Sequence, residues 1–426
     1  MIRFRNPERP LRLKARWLFP VDCPPIENGI VEIAEGEIRV ISNHDDPHAV
    51  DLGNVAILPG LVNAHTHLEL SDCPTPLAPS APFTEWIRSV MKHRRSRRPV
   101  SSLLTSPQTG PLWQGAWECG RFGTTCVADI AGVDWQPGLL PGDGPRTVAF
   151  LEVLGLAPER IPELLDRARE HLALGRTGDL ATSSAPPHLG FGLSPHAPYS
   201  VHPTLLKGLV DLAIESGAPV AMHLAETRSE LELLARGGGE FAEFLKRLAV
   251  WNPEVFRERR SILDYLKELA RSPRGLVVHG NYLSDADIEF LARNPQLSVV
   301  YCPRTHAYFG HEPHPWRTLL ERNINVALGT DSRASNPDLS VWNELQFLRR
   351  CEPEVPGQTL LELATIRGAR ALGLEAHCGT ITPGRSADLA IIDLPAVPSA
   401  DPYDTLLHPS SRIQATVLRG HWLGAP

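Results

Sequence analysis

The stretch that decides the fold reads Ala56-Ile57-Leu58-Pro59-Gly60-Leu61-Val62-Asn63-Ala64-His65-Thr66-His67. An apolar run of strand length, read here as Ala56–Leu61, leads directly into two histidines spaced two apart. Residues i and i+2 of a strand point to the same face, so the two imidazoles can converge on one ion. At the C-terminal end of a strand in a closed parallel barrel, that face looks into the active-site mouth. A His-x-His pair is common by itself. Its meaning depends on what the other strands carry.

Downstream the same kind of apolar run recurs and alternates with longer amphipathic stretches, the mark of βα units around a parallel sheet. The further runs are Thr124–Ile130, Thr147–Val153, Gly190–Leu193, Val220–His223, Gly275–His279, Leu297–Tyr301 and Asn325–Gly329. With Ala56–Leu61 they make the set of eight that closes a barrel. Helical stretches fall between them at Pro162–Leu174, Leu205–Ser216 and Asp285–Arg293, and at Glu230–Leu248 with a break at Gly237-Gly238-Gly239. Another helix is expected over Leu360–Leu372. Before the barrel, Leu11–Phe19 and Gly29–Ile41 read as short strands with Glu35-Gly36 as a turn. After it, strands return at Ala387–Asp393 and Gln414–Leu418. The expected fold is therefore α/β: a (β/α)8 TIM barrel over 57–375, with residues 1–56 and 376–426 forming a small β-sandwich together. Ser71–Pro82 with Pro99–Leu112, and Ala181–Pro187, read as insertions or loops.

The 426 residues are 42% hydrophobic and 21% charged, ordinary for a globular enzyme. A formal net charge of −7 disfavours a nucleic-acid partner, which needs a basic surface field. The seven cysteines have no CxxC pairing, which argues against a disulfide framework and against a zinc ribbon. Neither an amino-terminal signal nor an apolar run of about 18 residues is present, so a cytoplasmic chain with no membrane partner is expected. The basic run Lys92-His93-Arg94-Arg95-Ser96-Arg97-Arg98 reads as a solvated helix end and linker, attraction of an anionic ligand being the alternative.

Other strand ends complete the case for a metal. Val220–His223 ends on a histidine followed by Glu226, Gly275–His279 ends on a histidine, and Asn325–Gly329 leads into Thr330-Asp331. Any one of these could be a satisfied polar residue at a strand terminus. Their concurrence is improbable as structural coincidence. Three neutral imidazoles and one carboxylate suit one divalent ion, zinc before iron, and leave a position for water. Such an ion can draw the pKa of its water down to about 7. Glu226, just past a ligand strand, stands where a proton shuttle is needed; its plainer reading is a carboxylate at a helix N-terminus.

The set Asn63–His67, His223-Leu224-Ala225-Glu226, His279-Gly280 and Gly329-Thr330-Asp331 resembles the amidohydrolase superfamily. More narrowly it resembles the branch of purine, nucleoside and cytosine-type deaminases and triazine chlorohydrolases. Leu193–Ser200 and Gly379–Leu389 match as well. The resemblance implies that His65, His67, His223 and Asp331 hold one metal. It further implies that Glu226 protonates a ring nitrogen, that His279 orients water and leaving group, and that Asp331 accepts the water's proton. His196 would hydrogen-bond the substrate. Related two-metal enzymes use a carboxylated lysine, and no lysine occurs between Arg176 and Leu206. The reaction implied is hydrolytic removal of ammonia from a small heteroaromatic substrate. A chlorohydrolase or cyclic amidase remains open as an alternative, as does an inactive scaffold, and a homodimer is among the assemblies open to it. The zinc deaminases that carry P-C-x-x-C are excluded, since that motif is absent.

Two stretches bear on the substrate. His67-Leu68-Glu69-Leu70-Ser71 and Phe83-Thr84-Glu85-Trp86-Ile87 are similar to aminofutalosine deaminases, which would set Glu69 and Trp86 over the purine or ribose. Trp86 as a core anchor is the plainer alternative. A benzoate on such a substrate requires a cation, with Arg88, Arg228, Arg304 and Arg333 as candidates. Where this branch usually has Cys-Pro-x-Ser-Asn, the chain has Cys302-Pro303-Arg304-Thr305-His306, which places His306 at the mouth. His311 and His314 follow; a second site is one reading of them, and exposed loop histidines the plainer one.

Overall fold

A computed structural model describes residues 10–96, 106–175, 189–396, 399 and 401–424. Eight strands form one sheet in chain order: Leu61–Thr66, Thr124–Ala131, Arg146–Val153, Leu189–Pro195, Val220–Leu224, Gly275–His279, Leu297–Tyr301 and Asn325–Leu328. Each pairs in parallel with the next. The ring is closed where the last strand returns to the first. Thr66 and Asp331 form a parallel bridge, and the N–H groups of Thr330 and Asp331 donate to the carbonyl of His65 at 3.0 and 3.1 Å. Most of these strands are buried along their whole length, as expected for a parallel sheet covered by helices.

The apolar run at Ala56–Leu61 divides differently from the sequence reading. Val55–Pro59 belongs to a second sheet, where it pairs antiparallel with Leu389–Asp393, and the first barrel strand begins only at Leu61. His65 thus lies within a strand rather than after one. The dividing point is Pro59-Gly60. A Cβ on Gly60 would sit 2.0 Å from Thr125 Oγ1, so only glycine lets the chain pass the second barrel strand while changing sheets.

The second sheet has six strands drawn from both ends of the chain, in the order His421–Trp422, Arg412–Leu418, Leu389–Asp393, Val55–Pro59, Trp17–Leu18, Ile26–Glu27. A four-stranded sheet of Glu37–Ser42, Ile30–Ala34, Leu11–Lys14 and Val50–Asp51 shares its core. Leu13, Val31 and Ile38 from the early residues pack with Ile57, Leu389 and Val417 in one apolar cluster. The hairpin between Ile30–Ala34 and Glu37–Ser42 turns at Glu35 and Gly36, both at positive φ (56° and 78°), which suits the twist of paired strands.

Most expected helices are present, including Ile161–Ala173, Pro203–Ser216 and Asp285–Ala292. The break at Gly237 separates Arg228–Arg236 from Glu240–Arg247, with Gly237 at φ 65° as the left-handed cap. Leu360–Leu372 is not one helix but two, Gly357–Leu363 and Ile366–Leu372. Between them the Ala364 carbonyl accepts the N–H of Val62 at 2.9 Å, so the chain leaves its helical ladder to serve the first barrel strand. Ser71–Pro82 is irregular and leads into a helix over Phe83–Arg95. Ala181–Pro187 and the first part of Pro99–Leu112 lie outside the described residues. No helix among the described residues is long and apolar enough to cross a membrane.

Candidate metal centre and active-site cavity

At the C-terminal ends of the strands the buried polar groups converge. His65 comes from the first strand and His67 from just past it, His223 from the fifth and Asp331 from just past the eighth. His67 Nε2 lies 3.4 Å from His223 Nε2, and Asp331 Oδ1 lies 3.6 Å from His65 Nε2 and 3.5 Å from His67 Nε2. Donors roughly 2.0–2.2 Å from a shared ion are separated by about this much in these three pairs, and the ligand nitrogens of His65, His67 and His223 all lie within 4.8 Å of one another. Both ring nitrogens of His65 and Nδ1 of His67 are buried without a hydrogen-bond partner. Buried polar atoms with no partner are rare in folded proteins and ask for an occupant. The donor set therefore fits a divalent ion.

The electrostatics agree. Burial pushes His67 well below the usual histidine range, with the neighbouring His65 and His223 adding to it, and burial takes His223 down to about 3. Neutral imidazoles are the coordinating form. His223 Nδ1 donates to the His196 carbonyl at 3.0 Å, which leaves Nε2 as its ligand atom. Ser335 Oγ donates to Asp331 Oδ2 at 2.6 Å and fixes the other carboxylate oxygen.

Glu226 and His279 stand beside this group, with Glu226 Oε1 3.3 Å from His279 Nε2. Glu226 precedes the N-cap Thr227 of helix Arg228–Arg236, so its carboxylate is not held at the helix end. Burial raises the Glu226 carboxyl well above the ordinary range, and the charges of Asp331 and Glu230 reinforce the shift. A carboxyl in that condition carries a proton it can give. The N–H groups of Ala225 and Glu226 donate to the two oxygens of Glu230 at 3.1 and 2.9 Å, and Asn281 Nδ2 donates to the Glu226 carbonyl. These bonds hold the turn on which Glu226 projects, at Ala225 with φ 54°.

All of this forms one end of a cavity of 710 Å³. His67, His196, His223, Glu226, His279 and Asp331 line its polar floor. Beyond the floor the wall is mainly apolar, with Ile87, Met91, Leu156, Leu248 and Trp251 prominent.

The structure sorts the expected substrate residues. His196 lies on the wall, with Nδ1 2.7 Å from Ser200 Oγ. Trp86 lies there too, its indole N–H donating to the Ala334 carbonyl while its ring packs with Phe83 and Phe309. Glu69 sits behind the wall in an ion pair with Arg94. Arg304 does not face the cavity: Asp338 and Glu344 take its guanidinium at 2.6 and 2.7 Å. Glu344 also accepts from Asn336 Nδ2, which donates to the Thr330 carbonyl, so Arg304 braces the loop that carries Asp331. His306 is likewise turned away, with Nε2 donating to the Glu312 carbonyl at 2.8 Å. Among the other cation candidates, Arg88 pairs with Glu85, Arg228 with Glu312 and Arg333 with Glu118.

Among the described residues, the arginines on the cavity wall are Arg94 and Arg160. Arg94 belongs to the basic run read as a solvated helix end, and this member points inward to Glu69 and Glu152. Glu152 was missed as well. It lies near the end of the third barrel strand, 3.9 Å from His196 Nε2, and the signal that could have found it was a lone carboxylate inside the apolar run Thr147–Val153. Asp129 on the second strand accepts the Leu68 N–H at 2.9 Å and thereby anchors the residue after His67.

Comparison with known proteins bears on the family and the fold. The sequence profile of the amidohydrolase family matches residues 159–423. The chain is 30% identical to an aminodeoxyfutalosine deaminase of Deinococcus radiodurans over 81% of each chain. It is 27% identical to a 5-methylthioadenosine/S-adenosylhomocysteine deaminase of Syntrophobacter fumaroxidans, over 92% of this chain and 87% of that one. In fold it is similar to the aminofutalosine deaminase of Helicobacter pylori solved with methylthio-coformycin, with a TM-score of 0.78 at 22% identity, over 97% of this chain and all of the other. An adenosine deaminase from Xanthomonas campestris solved with bound zinc gives 0.73 at 24% identity, over 97% and 92%.

Proposed function

The chain belongs to the amidohydrolase family, and on that footing we propose that it is a hydrolytic deaminase of an adenine nucleoside extended at its 5′ end, with aminofutalosine as the leading substrate. The observation that carries the proposal is the pair Glu226–His279, 3.3 Å apart, beside four metal-competent groups on the floor of one deep cavity. A divalent ion, zinc in the first instance, would be held by His65, His67, His223 and Asp331 and would make water a better nucleophile near neutral pH.

The remaining chemistry falls to this chain's residues. Asp331 accepts a proton from the attacking water. Glu226, protonated through its burial, donates to the ring nitrogen next to the amine-bearing carbon, so that negative charge does not collect there. His279 is kept neutral by burial and can hydrogen-bond the water and the departing nitrogen. The proton taken up by Asp331 then passes to the exocyclic amine, the C–N bond breaks to release ammonia, and the new hydroxyl gives its proton back to Glu226 as the ring carbonyl forms. His196, kept neutral by burial and lining the cavity, would hydrogen-bond the base.

The apolar wall beyond the floor supports the 5′ extension, because a bare nucleoside would leave Leu248 and Trp251 uncovered. A carboxylate on that extension would find Arg160 on the wall, where Glu163 is its 3.2 Å partner. The test is ammonia release from aminofutalosine, 5′-methylthioadenosine, S-adenosylhomocysteine, adenosine, guanine and cytosine, together with metal analysis. Turnover of a 5′-extended nucleoside ahead of adenosine is expected, with about one equivalent of metal. Turnover confined to a chlorotriazine or a cyclic amide would replace the deaminase reading, and a stable metal-free protein would point to a scaffold.

A further inference from the structure

The sequence offers His314 as an exposed loop histidine or part of a second site, and the structure buries it. It lies between Pro313 and Pro315, in the segment joining helices Pro303–Phe309 and Trp316–Glu321. Its ring stacks on Tyr301 at the end of the seventh barrel strand, with centroids 4.0 Å apart and planes 17° from parallel. Nε2 lies 2.7 Å from the backbone carbonyl of His279. A carbonyl only accepts, so Nε2–H is the donor and the ring has a defined tautomer.

The carbonyl it holds belongs to an unusual residue. His279 has φ 70° and is followed by Gly280 at φ 64°. A residue with a Cβ occupies the left-handed region only when its surroundings impose it. Here the Gly280 N–H donates to the Leu224 carbonyl from one side, and His314 grips the His279 carbonyl from the other. That backbone conformation turns the His279 ring toward Glu226 instead of letting the strand continue.

We propose that His314 is a positioning residue for deamination: its Nε2–H···O=C bond locks the left-handed backbone of His279 and so holds the His279 imidazole against Glu226. The proposal rests on the deaminase reading for its kinetic consequence but not for its geometry. Loss of an outer hydrogen bond that orients a metal ligand typically costs about 10- to 100-fold in metal affinity or activity, and a loss of the same order is expected for a bond that orients His279.

The experiment compares H314F, which keeps a flat ring on Tyr301 but has no donor, with H314Q, whose amide can still donate. Both are measured on the nucleoside that the wild type turns over best, with metal content and thermal midpoint recorded. H314F is expected to lose about 10- to 100-fold in kcat with KM within about twofold and metal content unchanged, while H314Q recovers most of the loss. In the background of His279→Ala, H314F should have little further effect, because it acts through that ring. Full activity of H314F, a loss that H314Q does not repair, or additivity with His279→Ala would overturn the proposal. A crystal structure of H314F reads the geometry without turnover: a His279 ring that stays within hydrogen-bond distance of Glu226 also overturns it. A wild type that deaminates nothing would sink the functional reading alone, since that structure still decides the role of His314.

Discussion

Arg94 and Glu152 meet across the cavity at 3.5 Å, one from the helix that follows the first barrel strand and the other from the third strand. The same guanidinium pairs with Glu69. One cation therefore lies between two carboxylates, and it ties the Phe83–Arg95 helix to the barrel.

Replacing Arg94 by leucine should remove a cation from beside both carboxylates. The side chain is 35% exposed, so the stability loss should fall below that of a fully buried pair, at about 1–3 kcal/mol. The KM for the nucleoside should rise, because Glu152, which faces His196 on the cavity wall at 3.9 Å, loses the cation that holds it. Thermal unfolding and steady-state kinetics on R94L check both. An unchanged KM would show that Arg94 serves the helix alone.

Glu226→Gln keeps the size of the side chain and removes the proton it can donate. Burial keeps the native carboxyl protonated well above the usual range, and the amide cannot replace it as an acid. The kcat should fall by about 100- to 10,000-fold with metal content unchanged. Ammonia release and metal analysis on the same preparation separate this outcome from loss of the metal.

Glu230 offers a pH-dependent prediction. Its buried carboxyl is pushed up from 4.5 to about 7, burial outweighing the N–H groups of Glu226, Ala225 and Thr227 that favour its charge. The fold thus keeps a proton that the unfolded chain releases near 4.5. Stability from this group is complete below about 4.5 and is lost as the pH rises through 7, amounting to about 3 kcal/mol. Thermal midpoints of the chelated protein from pH 5 to 8 should show this slope, and E230Q should flatten it. Chelation matters because metal binding itself strengthens with pH. A slope identical in both proteins would contradict the assignment.

Gly60→Ala should destabilise the whole chain without touching the site. The added methyl would lie 2.0 Å from Thr125 Oγ1 and 2.2 Å from its Cγ2, on a central strand that cannot recede. About 1–3 kcal/mol is expected, read as a lower thermal midpoint with metal content retained.

Much of this molecule was legible along the chain. Buried parallel strands are short apolar runs, and the strand period places a side chain on one face whatever lies far away, so Thr124–Ala131 or Gly275–His279 could be read locally. For the same reason the groups at the strand ends, His65, His67, His223 and Asp331, were identifiable by residue type and place, and the folded chain brings them together. Only the tertiary structure could decide which arginine faces the cavity. Arg228, Arg304 and Arg333 each found a carboxylate far off in sequence, Arg304 going to Asp338 and Glu344, while Arg94 turned inward to Glu152. It also decided that Ala56–Leu61 splits between two sheets and that His314 supports His279, because sheet membership and backbone support depend on contacts between distant segments. Sequence sets the local period and the available chemistry; the pairing of charges and the fit of close-packed surfaces exist only once the chain has closed on itself.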